Sequence, residues 1–401
     1  MRAFRTLGSE RGAILIQTAV AGLVLISFSA FVIDYGIFWI GRSQAQNAAD
    51  AGAAAGALAR AYDDFADPPD PGGVTAVTAS QVAQANLVWT VPPAPVVSFD
   101  CPAGAGPGPC VRMDVYRDGE FGSAALPTIF GAALGIASQG VRATASAQVA
   151  VGNATDCLRP LAMPDRWIEH RPVDGPWAPD SVFQRFAESG PASGTLLTPA
   201  DAYVAPTASD PGSGLTSQLD LGLQIQLTPA DPTESDPISP GWLLPLQLPG
   251  AGTFDNNLDR CNGQLMTVGQ QLLTETSRMA GTTVESWGDL LVRDPDASWN
   301  AGTRRIDGSC APACAPVSPR LVVLALFAPD SYQLMRATGD WSACPGGARC
   351  ISIVNFVGFF IDHVVSGTAV GYVTMHPGLV SAGNPTVDPR SSFLRAITFV
   401  R

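Results

Sequence analysis

The sequence predicts an α+β protein: a long N-terminal transmembrane helix, a small α+β module on its extension, and a β-rich distal domain with long loops. Three observations carry that reading. An apolar run opens at Ala13, closes at Ile33 and passes without a breaker into an Ala-rich stretch that ends near Tyr62. Helical and alternating patterns then interleave as far as Gly152. Beyond Asn153, period-two and wholly apolar runs are separated by segments rich in Pro, Asp, Ser and Gly, and helical patterns become few. The expected division is a basic cytoplasmic N-terminus or leader over 1–12 and a transmembrane helix over 13–40. A helix extension with the small module follows over 41–152, and a β-rich extracytoplasmic domain over 153–401.

The first element is justified by length and by its flanks. At about 1.5 Å per residue, residues 13–33 cover about 30 Å, the thickness of a bilayer core. Only Gln17, Thr18, Ser27 and Ser29 interrupt the run, and none is charged. A cleaved secretory signal would be shorter and end in a small-residue cleavage site. Here Asp34, Tyr35, Phe38, Trp39 and Arg42 follow, aromatics first and charge beyond, as at a membrane interface. Arg2, Arg5 and Arg11 precede the run against Glu10 alone, which sets the N-terminus in the cytoplasm and everything after about Gly41 outside it. The location expected is therefore a membrane crossed once, in a bacterium the inner membrane, with the main domains periplasmic or extracellular. The Ala-rich continuation is strongly helix-forming, so one helix of roughly 75 Å is expected up to Tyr62. Gly52 and Gly56 on it are spaced for close approach of another backbone, either in helix–helix self-association or against a small domain of the same chain.

Composition bounds the function. The 401 residues contain no Lys, and the net charge is −12, so no nucleic-acid partner is expected. Eight cysteines, Cys101, Cys110, Cys157, Cys261, Cys310, Cys314, Cys344 and Cys350, read as disulfides in an exported chain. Cys101/Cys110 and Cys344/Cys350 bracket short Gly-rich loops that favour local pairing. Cys310 and Cys314 could pair together or cross to another loop, and a zinc site built from the last four is the competing reading.

In the module, residues 74–89 show helical spacing that ends before Pro92 and Pro93. Residues 96–99 read as a strand, and Val111, Met113 and Val115 alternate in a second. Residues 126–136 read as a helix with Pro127 in its first turn. Val141, Ala143, Ala145, Ala147 and Val149 line one face of a further strand. In the distal domain, Leu219, Leu221, Leu223, Ile225 and Leu227 predict a strand with one buried face. Residues 320–328 predict a strand buried on both faces. Residues 350–365 and 368–376 flank Ser366-Gly367, a hairpin turn signal. The best helix candidate is 283–294.

Little in the chain carries chemistry. His170, His363 and His376 stand alone, without metal or catalytic spacing, and no nucleophile elbow or phosphate loop occurs. Residues 255–263, "DNNLDRCNG", cluster oxygen ligands, but the Gly is displaced and the closing Glu is absent, so a capped turn competes with a calcium loop. No cofactor is expected. A tethered exported hydrolase would need a constellation that the sequence does not display.

The segments "RGAILIQTAV" from Arg11, "FVIDYG" from Phe31 and "QNAADAGAAAGA" from Gln46 make the chain resemble the Flp pilus-assembly TadE/TadG-like family of the bacterial tight-adherence (Tad) system. The strand, short helix and "ATASA" strand of the module resemble the same family. So do "GTTVESWGDLLVRDPDASW", "SPRLVVLALF" and "IVNFVGFFI" in the distal region. The resemblance implies a pilin-like first helix, with leader cleavage between Gly12 and Ala13 as in pilin precursors. Counted from Ala13, the fifth residue is Gln17, where such precursors carry Glu. Gln keeps the polarity without the charge that would pair with a neighbour's amino terminus. This fits a TadG-like, membrane-anchored accessory protein acting with other Tad/Flp assembly proteins in pilus assembly or surface adhesion. A processed minor pilin is the alternative. The metal-dependent adhesion motif of some larger members, Asp-x-Ser-x-Ser, has no counterpart here.

Overall fold

A computed structural model describes residues 10–66, 68–172, 174–233, 236–250, 252–277, 279–315 and 317–400. It is an α+β structure dominated at its start by one helix, α1, over Glu10–Tyr62. No breaker interrupts it. Its last turn closes where the Arg60 guanidinium donates to the carbonyls of Asp64 and Ala66, at 2.8 and 2.6 Å. The Asp64 carboxylate also accepts the hydroxyl of Thr75 at 2.7 Å, which fixes the turn into α2, Val74–Ala85.

The second half of α1 is the spine of the module. Ala45, Ala48, Ala49, Ala53, Ala57 and Ala61 are buried against Ala79 and Ala83 of α2 and against Val111, Met113, Val115 and Val149 of the sheet. Such small side chains let backbones come close, and Gly52 and Gly56 mark the tightest points. A Cβ at Gly52 would lie 2.9 Å from the Ala83 Cβ, and one at Gly56 would lie 2.7 Å from a Val111 methyl. The expectation that these glycines offer a face for helix–helix self-association is corrected: the chain's own α2 and sheet cover them.

The module sheet runs in the order Ala94–Ser98, Cys110–Arg117, Val141–Val151, Leu394–Val400, His376–Pro377. Its first four strands are antiparallel. Val141, Ala143, Ala145, Ala147 and Val149 turn into the core, as their alternation predicts. The fourth strand comes from the far end of the sequence, with Arg395 opposite Val151 and Val400 opposite Ser146. The expected helix over 126–136 is corrected. Leu126–Pro127 pairs with Ser138–Gln139, and only Gly131–Leu134 is helical, as a 3₁₀ turn.

The distal sheet closes on itself. Around the ring, Cys350–Val365 pairs with Leu321–Phe327, then follow Leu158–Pro164, Trp242–Pro245, Gln224–Pro229 and Thr368–Thr374, which returns to Cys350–Val365. All six strands contribute alternate residues to one apolar cluster, which includes Leu161, Val322, Val357, Ala369, Ile225 and Leu243. A ring of this kind leaves no free edge and fills its interior with side chains. The opposite registers, Val323, Ala325 and Phe327, pack in a second cluster with Trp167, Phe183, Trp242 and Tyr332. That double burial explains the unbroken apolar run of Leu321–Phe327. Ser366 and Gly367 form the expected hairpin turn, with φ of 51° and 82°.

One other expectation differs from the structure, and one helix has no counterpart among the expectations. The strand predicted from Leu219 begins only at Gln224, and Leu219 is 73% exposed. Gly222, at φ 85°, turns the chain there, and Asp220 holds the preceding loop through the Thr216 amide at 2.7 Å. A helix over Pro329–Thr338 follows the strand Leu321–Phe327, opened by Pro329 and closed by Gly339 at φ 70°. The helix candidate at 283–294 is present over Ala280–Arg293.

The eight cysteines form four disulfides: Cys101–Cys110, Cys157–Cys261, Cys310–Cys314 and Cys344–Cys350. The zinc reading is thereby corrected, since no thiol is left free. The calcium reading is corrected as well. Asp255 and Asn256 lie in a short helix, Phe254–Asp259, capped by Thr253, while Asp259 accepts from the Ser286 hydroxyl at 2.8 Å.

Two predictions follow from packing and from chain entropy. Gly56→Leu should lower stability by about 3 kcal/mol or more through overpacking, whereas Gly22→Leu, with open space around its Cα, should not. Chemical unfolding of the purified chain in detergent measures both. Cys157–Cys261 spans 104 residues and Cys310–Cys314 spans 4. Replacing the first pair by Ser should cost about 5 kcal/mol and the second about 2 kcal/mol, read as shifts of the same unfolding curve.

Candidate functional site

The surface with an unmet physical demand is the first half of α1. Ile14, Leu15, Ile16, Val20, Leu23, Val24, Leu25, Ile26, Phe28 and Phe31 all lie exposed. Among the described residues this is the one helix long and apolar enough to cross a membrane, and none of its most apolar stretch is covered by the rest of the chain. Gln17 is exposed on this helix. Thr18 returns its hydroxyl to the Ile14 carbonyl at 2.9 Å, so its polarity is met within the helix. Gly12 and Ala13 lie within α1, but their side-chain surroundings, like that of Arg11, fall outside the described residues; Arg2 and Arg5 fall wholly outside them. Ile33 is exposed and ends the run.

At the upper end of the run the helix changes character. Phe31, Tyr35 and Trp39 form a ladder at helical spacing, with ring centroids 5.7 and 6.1 Å apart. One residue short of Tyr35, the Asp34 carboxylate accepts three consecutive backbone amides from the 126–139 loop: Ile129 at 2.8 Å, Phe130 at 3.1 Å and Gly131 at 2.6 Å. The Gln139 amide donates to the Asp34 carbonyl at 3.1 Å. Leu126 packs so closely on Gly41 that a Cβ there would meet it at 2.5 Å. A charged side chain at this height thus acts as a latch for a loop almost a hundred residues away. A groove of about 380 Å³ runs between that loop and the helix, lined by Ile26, Ala30, Phe31, Tyr35, Phe130 and Ile136. Sequence reasoning placed Asp34 as a charge bordering the membrane and within the "FVIDYG" segment of the family resemblance. Its partners are main-chain amides, which carry no residue signature.

Elsewhere, the three histidines and Asp165 are held in structural contacts. His376 is buried, donates from Nδ1 to the Pro377 carbonyl at 2.6 Å, and is driven down to about 4 by burial. His170 pairs with Asp174, and His363 with the adjacent Asp362. Asp165 is fully buried and pushed up to about 6 by that burial. It accepts the Tyr203 hydroxyl at 3.0 Å and the amides of Leu215 and Arg166 at 2.7 and 2.9 Å. This knot ties three loops beside the ring. Among the described residues no three His, Cys, Asp or Glu side chains converge as a metal site.

Fold and surface together define an α+β body carried on a single apolar helix. Residues 12–60 match the family model described as putative Flp pilus-assembly TadE/G-like. Over these residues the N-terminal helix is similar to that family's domain. The match takes in α1 almost to its end and does not extend into 61–401. No curated protein and no solved structure matches the chain.

The latch makes a direct prediction. Asp34→Ala should raise the hydrogen-exchange rates of the Ile129, Phe130 and Gly131 amides at least tenfold, leaving the amides of the strand Val141–Val151 protected. Residue-resolved exchange by mass spectrometry checks it.

Proposed function

We propose that the chain is a membrane-anchored, non-enzymatic accessory protein of a Tad/Flp-type pilus or secretion apparatus, acting in pilus assembly or surface adhesion. The observation that carries this is the uncovered apolar half of α1, continuous with a half that is packed into a folded body, within the span that matches the TadE/G-like model. In this reading 13–40 spans the inner membrane, 41–152 forms the proximal module and 153–401 the distal domain. The short N-terminus stays in the cytoplasm, since its Arg residues resist translocation. Four disulfides fit a body outside the cytoplasm, where thiols are oxidised. The body offers other assembly proteins a rigid surface at a fixed height above the bilayer.

Gln17 separates this reading from that of a processed minor pilin. A helix serving only as an anchor needs no hydrogen bond at Gln17, whereas a filament contact in lipid would draw about 1 kcal/mol from it. Full-length protein is purified from membranes, its N-terminus and co-purifying proteins are identified by mass spectrometry, and a periplasm-dependent phosphatase is fused to the C-terminus. An active phosphatase, a retained 1–12 segment, Tad assembly proteins in the eluate and unaltered assembly with Gln17→Leu are the expected results. A chain starting at Ala13 together with defective assembly of Gln17→Leu would establish the pilin instead. An inactive phosphatase would overturn the topology.

A further inference from the structure

We propose that the loop between Leu126 and Gln139 is a second membrane contact, inserted beside α1 into the outer leaflet-facing side of the same bilayer. The proposal rests on the anchored reading above. Residues 122–141 contain no ionisable side chain, in a chain of net charge −12. Among its described side chains the loop carries three large apolar ones at its surface: Ile129 is 59% exposed, Ile136 56% and Phe130 38%. In water such a cluster would be an unexplained cost.

Its position is set by the latch. The amides of Ile129, Phe130 and Gly131 sit on Asp34, and the groove they border extends down α1 to Ile26. At 1.5 Å per residue, that is about 12 Å along the helix towards its apolar end. The loop therefore lies below Trp39 and alongside Phe31, at the depth where interfacial apolar groups bury themselves by about 5–10 Å.

Backbone chemistry points the same way. A loop can occupy a lipid boundary only if its polar main-chain groups are satisfied internally. Besides the three amides held by Asp34, Thr128 N–H donates to Ala137 O at 3.3 Å, Gly135 N–H to Ala132 O at 3.2 Å and Ile136 N–H to Gly131 O at 2.9 Å. The Thr128 hydroxyl donates to the Ile136 carbonyl. Asp34 itself is surrounded by donors, so its charge is met at the boundary. Apolar side chains pointing out, polar groups turned in and continuity with the apolar face of α1 together identify the occupant as lipid.

The test uses full-length protein in nanodiscs of phosphatidylethanolamine and phosphatidylglycerol, with the photo-crosslinking residue p-benzoylphenylalanine placed singly at Ile26, Ile129, Ile136 or Leu219. Mass spectrometry should find lipid adducts at Ile26, Ile129 and Ile136, and at least tenfold fewer at Leu219. With Asp34→Ala added, adducts at Ile129 and Ile136 should fall several-fold while those at Ile26 persist. Adducts at Ile26 without any at Ile129 or Ile136 would overturn the loop contact and leave the anchor standing. Absence of adducts at Ile26 would overturn the anchor on which the proposal rests. Crosslinks from Ile129 or Ile136 to a second copy of the chain, in place of lipid, would overturn it in favour of a protein interface.

Discussion

The structure depends on the close approach of α1 to α2 and to the strand Cys110–Arg117. The two halves of this helix meet different surroundings. Its lower half is apolar on all sides, while its upper half buries a stripe of alanines. Alanine gives up little side-chain entropy in a helix and lets neighbouring backbones draw close. Gly52 and Gly56 reduce the separation further, to distances at which even a methyl group would collide. Because the helix is unbroken across Asp34, the tilt of the lower half fixes the tilt of the module, and the reverse.

That constraint explains why the junction is built from an acid. Asp34 lies where the exposed apolar half of the helix gives way to the half packed in the module, and its one carboxylate satisfies three adjacent amide donors at once. The expected helix over 126–136 fails for the same reason. Amides 129–131 are drawn to Asp34, and Gly135 at φ 83° ends the single 3₁₀ turn that remains.

What the sequence makes legible is local. The continuity of α1 follows from an apolar and Ala-rich run without Pro, and the double burial of Leu321–Phe327 follows from its lack of alternation. The turn at Ser366-Gly367 announces itself through residue types that tolerate positive φ. Long-range features leave no such trace. Nothing in residues 394–400 says that they pair with Val141–Val151, and nothing marks Cys157 for Cys261, 104 positions on. Leu219 shows the opposite failure: its period-two pattern is real, but Gly222 and the Asp220–Thr216 bond turn the chain before pairing begins. Asp34 is the instructive case for the site, since its residue type suggested charge at a boundary and only the fold supplies the amides.

The C-terminal strand links the module that packs on α1 to the distal ring. Leu394–Val400 completes the module sheet, while Phe393, the residue before it, is buried in the ring's own core. At the top of α1, the Tyr62 hydroxyl donates to the Arg395 carbonyl at 3.1 Å, and Tyr62 and Phe65 pack against that same core. Arg395 is buried deeply enough that desolvation brings it down to about 10, and it donates to Ser217 and Pro389 at 3.2 Å in loops beside the ring. Asp63 adds an ion pair to Arg305 at 2.8 Å. The end of α1 is thus held by both bodies at one place. The crossing between the bodies is held by these polar contacts and by the side chains of Tyr62, Phe65 and Phe393.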